Sequence, residues 1–132
     1  MQRRTNIYTN HTEEEIKEYL KNLKEIIEKG DFYIPNTSKK QKNKNFIETY
    51  KLNSKKQKEM LLSIEYTDFC YSIDDDDNPN ERLYIFAKDY DLDCWGIQNN
   101  VLVYIKVVIK SNDYAVIVSF HEPERSIKKL FI

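Results

Sequence analysis

Three side chains near the C-terminus carry groups that could act together on a phosphodiester. Tyr104 and Lys106 stand two residues apart in VLVYIKVVIK, and His121 lies near the end of YAVIVSFHE. Metal-free RNA cleavage needs a base for the 2′-hydroxyl, an acid for the leaving 5′-oxygen and a cation for the phosphorane. An imidazole serves as either base or acid near neutral pH. The sequence leaves open which of these roles His121 takes.

Two predicted strands carry these side chains. The odd-numbered residues of strand 101–110 are all apolar and are expected to face the core, whereas Tyr104 and Lys106 belong to the other face. In strand 114–122 successive side chains point to opposite faces, so its residues divide into a set on the core face and a set on the second face. The expected core set is Val116, Val118 and Phe120, and the second set is Ala115, Ile117, Ser119 and His121.

The turn between the strands sets their register. A two-residue turn at Asn112 and Asp113 places Ser111 opposite Tyr114 and matches apolar with apolar residues along the core face. The apolar pairs are Ile109 with Val116, Val107 with Val118, and Ile105 with Phe120. The same register sets Lys106 opposite Ser119 and Tyr104 opposite His121, with Cβ atoms about 5 Å apart. An ordinary half-exposed sheet face explains such a Tyr–His pair equally well.

Helical signals occupy the first half of the chain. Thr12 with Glu15 forms a capping box, and apolar spacing predicts a helix over about 12–29 that ends before Gly30. Residues 32–34 form a short extended piece, and residues 36–45 a polar, basic loop. A short helix around residues 46–50 and another that starts at Ser54, with Gln57 completing its capping box, precede the sheet.

The second half is rich in β-branched and aromatic residues. RLYIFA, VLVYIKVVIK and YAVIVSFHE are the clearest strands of a sheet over about 66–122. Helices followed by strands predict an α+β fold, in which N-terminal helices pack on a curved antiparallel sheet. A length of 132 residues and 40% hydrophobic content favour a single folded domain over 1–132.

The net charge of −1 conceals two segregated runs. Residues 38–60 hold eight lysines against two glutamates, and residues 65–93 hold ten acidic against two basic residues. A protein that binds nucleic acid through bulk charge is basic overall, so any RNA contact must be local. The acidic run, which includes Asp74 to Asp77, is expected to be a solvated face.

The sequence does not support a secreted, membrane-spanning or metal-binding protein. The N-terminus has no apolar signal region and no stretch reaches membrane-spanning length, so we expect a cytoplasmic protein. Cys70 and Cys94 lack metal-ligand spacing, and the only histidines are His11 and His121. Asp74, Asp76 and Asn78 resemble an EF-hand start, but Pro79 replaces its glycine and Ile85 its bidentate glutamate. We therefore predict no metal and no cofactor.

The C-terminal two thirds resembles a known family. The segments DFCYS, DCWGI, VYIK and VSFHE follow the order found in MqsR toxins of bacterial toxin–antitoxin pairs, over about residues 46–124. This resemblance implies a RelE-like fold and ribosome-independent cleavage of single-stranded messenger RNA at short GC-containing sequences. It also implies neutralisation by an antitoxin encoded beside the toxin, expected to be a DNA-binding helix-turn-helix protein.

The resemblance also assigns site residues. Tyr104 matches the family's functional tyrosine, Lys106 the lysine two residues on, and His121 a position where some members carry lysine. Tyr71 stands where some members have a catalytic-site lysine, and Lys88, beside a position where others have glutamine, could supply a further cation. The candidate RNA-binding residues are Arg82, Lys110 and Trp95, although a lone tryptophan is more often core or rim.

The sequence leaves two alternative functions open. One is a non-catalytic binding or inhibitor protein, encoded by a phage or an operon, that uses the same sheet face or the acidic loop. The other is an enzyme in which Cys70 or Cys94 acts as a nucleophile.

Overall fold

Alternating apolar residues form a six-stranded sheet within the part of the chain that the structure describes. The structure is a computed structural model that describes residues 6–78, 80–111 and 113–132. Its strands are β1 (Ile7–Tyr8), β2 (Phe32–Tyr33), β3 (Phe69–Asp74), β4 (Arg82–Cys94), β5 (Ile97–Lys110) and β6 (Tyr114–His121). The order across the sheet is β1-β3-β4-β5-β6-β2, and neighbours are antiparallel except for the parallel β2–β6 pair.

Three α-helices lie among the described residues: α1 (Glu13–Glu28), α2 (Gln41–Thr49) and α3 (Ser54–Leu62). The capping box of Thr12 and Glu15 starts α1 as predicted, and the helix buries its apolar stripe of Ile16, Leu20, Leu23 and Ile27. No helix of the described ranges is both long and apolar enough to span a membrane.

The fold class is confirmed as α+β, with three helices packed against a mostly antiparallel sheet. The larger core lies between the helices and one sheet face, which we call the helix face. It contains Ile16 and Leu23 from α1 with Phe86, Val103 and Ile105 from the sheet. The other face, which we call the open face, carries a smaller apolar cluster. Its buried members are Cys70, Leu83, Ile85, Ala87, Val108 and Val116.

Several local predictions were wrong. The expected polar loop over 36–45 is largely helical, because a 3₁₀ turn at Ser38–Lys40 leads directly into α2. Asn53 rather than Ser54 caps α3, since its side chain accepts a hydrogen bond from the Lys56 N–H at 2.8 Å. The strands expected over about 66–122 are β3 to β6, but the sheet also recruits β1 and β2 from the first half of the chain, which the sequence did not predict.

The register of the β5–β6 hairpin agrees with the prediction only at the end distant from its turn. Tyr104 pairs with His121, and Lys106 pairs with Ser119, as the sequence indicates. Nearer the turn the expected pairs are wrong, because Val107 lies opposite Ile117 and Ile109 opposite Ala115. Pairing of Lys110 with Tyr114 makes the connection one residue longer than predicted, and Asn112 within it lies outside the described residues.

A β-bulge reconciles the two registers. Val118 is the extra residue on β6, between the Lys106–Ser119 and Val107–Ile117 pairs. Val116 and Val118 therefore pack with the open-face cluster, and Ala115 and Ile117 enter the helix-face core instead. The bulge returns Phe120 to the core and His121 to the face that carries Tyr104.

Candidate functional site

The open face of the sheet forms the floor of a cavity of about 740 Å³. β3, β5 and β6 contribute six residues to this floor: Cys70, Tyr71, Tyr104, Lys106, Ser119 and His121. Residues 123–130, which we call the C-terminal strap, form a wall. The cavity has the size of an ordinary ligand pocket, roughly 300–1,000 Å³.

The strap is tied to the sheet beyond β6. The Leu130 N–H donates to the Phe69 carbonyl at 2.8 Å, and the Phe131 ring stacks 6.1 Å from the Phe69 ring. Ile127 packs against the open-face cluster. Packing of the apolar side chains of Ile127 and Leu130 against the sheet therefore holds the strap beside the cavity.

One ring nitrogen of His121, Nε2, has no hydrogen-bond partner among the described residues. Its Nδ1 lies 2.8 Å from the Glu122 carbonyl oxygen, which can only accept a hydrogen bond. Nδ1 of the neutral ring therefore carries the proton, and Nε2 keeps its lone pair. The His121 ring centroid lies 5.9 Å from that of Tyr104. This tautomer gives His121 the form of a general base.

Tyr104 and Lys106, which share this face with His121, have shifted pKa values. Burial, followed by the charge of Tyr71 and a hydrogen bond with it, raises the pKa of Tyr104 above its ordinary value, so the phenol stays protonated. Burial, followed by repulsion from Lys40, lowers the pKa of Lys106, while Asp75 and Asp76 oppose this shift. Lys106 forms no ion pair or hydrogen bond with a residue of the described ranges.

Asn43 forms hydrogen bonds to β6, the strand that carries His121. The sequence analysis did not single out this residue. It lies in α2, only 1% exposed, and its Oδ1 accepts from the Phe120 N–H at 2.8 Å. Its Nδ2 lies 3.1 Å from the Val118 carbonyl and 2.8 Å from the Pro35 carbonyl. Asn43 thus satisfies backbone groups on the outer edge of β6, beyond the residues that pair with β2.

Four of the sequence-derived candidates lie away from the cavity. Lys88 faces the helix side and forms an ion pair with Asp68 at 3.2 Å. The Arg82 guanidinium lies 3.8 Å from the Tyr8 ring centroid, and Lys110 pairs with Glu81 at 2.7 Å. Trp95 is 88% exposed at the β4–β5 turn. The geometry therefore groups Tyr71, Tyr104, Lys106 and His121 and excludes the other four.

The strap brings cations that the sequence analysis missed. Arg125, Lys128 and Lys129 line the cavity together with Lys106, against one carboxylate, that of Glu124. Glu124 forms an ion pair with Lys42 of α2. The signal lay in ERSIKKLFI, where basic residues precede an apolar end that must be buried. The cavity has an excess of positive charge, which favours an anionic ligand.

The other histidine takes part in a hydrogen-bonded chain on the helix face. His11 Nδ1 lies 3.2 Å from Glu15 Oε2, and its Nε2 lies 2.7 Å from the Ser72 hydroxyl. This connectivity matches a Glu–His–Ser triad. Ser72 is fully buried, however, and it is not among the residues that line the open-face cavity. His11 therefore connects the start of α1 to β3 as a structural residue.

Cys70 and two members of the acidic run, Asp74 and Asp75, lie in surroundings that indicate structural roles. Burial raises the pKa of Cys70 to about 12, which leaves it a poor nucleophile near neutral pH. Asp74 accepts hydrogen bonds from Asn6 and Tyr8, and Asp75 accepts from the Asp77 N–H. Within the described ranges, no cluster of three or more His, Cys, Asp or Glu side chains is suited to hold a metal ion.

Comparison with known proteins found no family model that matches this chain, and no curated protein matches it either. The resemblance to the MqsR toxins therefore rests on the four short segments quoted above.

Proposed function

We propose that this protein is a metal-independent endoribonuclease of the MqsR toxin kind, with its active site on the open face of the sheet. The observation that supports this best is the convergence of His121, Tyr104 and Lys106 in one cavity. Each of the three carries a group that metal-free phosphodiester cleavage requires. Only RNA supplies the 2′-hydroxyl that this chemistry needs.

The cleavage step assigns one role to each group. His121 Nε2 takes the proton of the 2′-hydroxyl as the 2′-oxygen bonds to phosphorus. The P–O5′ bond breaks, and the leaving 5′-oxygen takes a proton from the Tyr104 hydroxyl, which its raised pKa keeps protonated beforehand. Lys106, two residues from Tyr104 and about 7 Å away along the strand, faces the phosphorane charge. The products are a 2′,3′-cyclic phosphate and a 5′-hydroxyl end.

The surroundings favour this chemistry over the thiol alternative. The same floor contains Cys70, but its raised pKa keeps the thiol protonated. The cationic wall of the cavity attracts a polyanion, although the chain as a whole carries a net charge of −1. Local positive charge on a near-neutral protein fits a short bound segment of single-stranded RNA.

The biological role that follows is that of a toxin. The protein would cleave cellular messenger RNA in the cytoplasm, inhibit translation and growth, and be neutralised by a cognate antitoxin. This part of the proposal derives from the MqsR resemblance, as does the assignment to the RelE-like fold.

Growth of a host cell tests the proposal and separates it from a non-catalytic binding protein. The wild-type gene and a His121→Ala, Tyr104→Phe double variant are induced at equal protein levels. Growth arrest by the wild type alone is expected. Equal arrest by both proteins would favour a binding protein that acts without chemistry, and normal growth with both would overturn the toxin proposal.

A further inference from the structure

The C-terminal strap places basic side chains along one wall of the cavity. It starts directly after β6, and the Leu130–Phe69 hydrogen bond holds its other end against β3. Arg125, Lys128 and Lys129 lie between these two attachments and line the cavity. Both ends are fixed, so these side chains start from defined positions and little backbone ordering is needed when a ligand binds.

The three cations are not equivalent. Lys129 lies 3.4 Å from the Asp68 carboxylate, which also pairs with Lys88, so the Lys129 ammonium already has a partner inside the protein. Arg125 and Lys128 are exposed, and neither makes an ion pair or hydrogen bond with a residue of the described ranges. These two side chains are therefore the members of the wall that are available to an anionic ligand.

We propose that Arg125 and Lys128 bind the backbone phosphates that flank the scissile bond, which makes the strap the phosphate-recognition wall for single-stranded RNA. This inference rests on the proposed ribonuclease function. Three residues of chain span at most about 11 Å, so the two cations reach neighbouring phosphates of one strand. Because phosphate contacts carry no sequence information, the strap sets the affinity and register of the RNA rather than the cleavage sequence.

The size of the cavity suits a short single strand. The strap stands along one side of the floor, and the Lys42–Glu124 ion pair connects the strap to α2. A volume of about 740 Å³ is sufficient for a short run of unpaired nucleotides. We therefore expect the substrate to be a single strand.

The test measures how salt affects RNA binding. A 2′-O-methyl oligonucleotide lacks the nucleophile and is bound without cleavage, so fluorescence anisotropy gives its Kd over a series of salt concentrations. The proteins compared are the wild type, the Arg125→Ala, Lys128→Ala double variant, and a Lys55→Ala, Lys56→Ala double variant. The last is a matched control, because Lys55 and Lys56 are exposed on α3 and do not line this cavity.

Loss of two phosphate contacts has a defined signature. For single strands the slope of log K against log salt changes by about 0.7 per contact, so the strap variant should lose about 1.4 from the magnitude of its slope. Its Kd should rise about tenfold, and a duplex of the same sequence should bind each protein weakly. With cleavable RNA the strap variant should show a raised KM and a kcat within about twofold of the wild type.

Two outcomes separate this inference from the function beneath it. If the wild type cleaves RNA but the strap variant keeps the wild-type slope, or the Lys55, Lys56 control loses as much slope, the strap inference is overturned and the ribonuclease proposal stands. If the wild type cleaves no RNA while the strap variant still loses the expected slope, the strap binds phosphates as inferred and the proposed function is overturned.

Discussion

The Asn43 side chain accepts a hydrogen bond from the Phe120 N–H at 2.8 Å, one residue before His121. β2 pairs with β6 at Ala115 and Val116, and no other strand of the described residues pairs with the outer edge of β6. Beyond that point the amide group of Asn43 forms the hydrogen bonds to the edge of β6. The backbone that positions His121 therefore depends on α2 as well as on β5.

Replacing Asn43 by alanine should destabilise the protein by about 2–4 kcal/mol, because buried backbone groups would lose their partners. Urea unfolding followed by circular dichroism measures the change. Asn45→Ala is the control, since Asn45 is exposed on the same helix and its side chain bonds to Gln41 alone among the described residues. This substitution should cost less than about 1 kcal/mol. Equal effects of the two substitutions would show that Asn43 has no special role.

His11 should be important for stability and not for cleavage. His11→Gln removes the ring that connects Glu15 to Ser72 and packs 5.3 Å from Phe69, so we expect a loss of about 1–2 kcal/mol in the free energy of unfolding. The cleavage rate of the folded variant should stay within about twofold of the wild type. A rate loss as large as that of a His121 variant would instead indicate that the Glu15–His11–Ser72 chain is catalytic.

Lys106→Met should separate stability from activity. Burial lowers the pKa of Lys106, so the unfolded chain holds this proton more tightly than the folded protein does, and folding bears the cost of a buried charge at neutral pH. Methionine removes that cost, so we expect the free energy of unfolding to rise by about 0.5–2 kcal/mol. The cleavage rate should fall by about 100-fold or more.

The pH dependence of the same variant provides an independent check. As the pH rises towards the ordinary value of 10.5, the folded state loses the Lys106 proton before the unfolded state does. The wild type therefore gains stability relative to Lys106→Met over that range, and the difference between them should narrow. Urea unfolding of both proteins at pH 7 and pH 9.5 measures it. A difference that widens would contradict a lowered pKa.

Cys70 should resist alkylation. It is 2% exposed and its pKa is raised to about 12, whereas Cys94 is half-buried, so iodoacetamide near pH 7.5 should modify Cys94 first. Peptide mass spectrometry locates the modification, and the cleavage rate should not change. Inactivation that tracks modification of Cys70 would support the thiol enzyme instead.

The strands were predictable because alternation is strong where one face is buried. In β5 the odd-numbered residues 101–107 enter the helix-face core as expected, and Tyr104 and Lys106 occupy the open face. The bulge was not predictable, because Val116, Ile117 and Val118 are three consecutive apolar residues that fit either face. Only the apolar cluster on the open face, which covers Val116 and Val118, decides between the two.

The rest of the site depends on contacts between distant parts of the chain. Asn43 sits in a polar, lysine-rich run that is typical of a solvated loop, and its role follows only from the packing of α2 beside β6. The strap lacks regular secondary structure, so periodicity does not reveal it. Lys88 was suggested by the resemblance, from its place beside Ala87, but the pleat turns its side chain to the helix face, where it meets Asp68.

The most direct test is cleavage of a defined single-stranded RNA by the purified protein in EDTA, with the new ends mapped. The wild type should release 5′-hydroxyl and 2′,3′-cyclic phosphate ends. His121→Gln should be slower by about 100-fold or more, while His11→Gln, the same substitution at the other histidine, keeps the wild-type rate. Absence of cleavage by the wild type, or equal rates with His121 and with Gln in its place, would contradict the assignment of this face as a ribonuclease site.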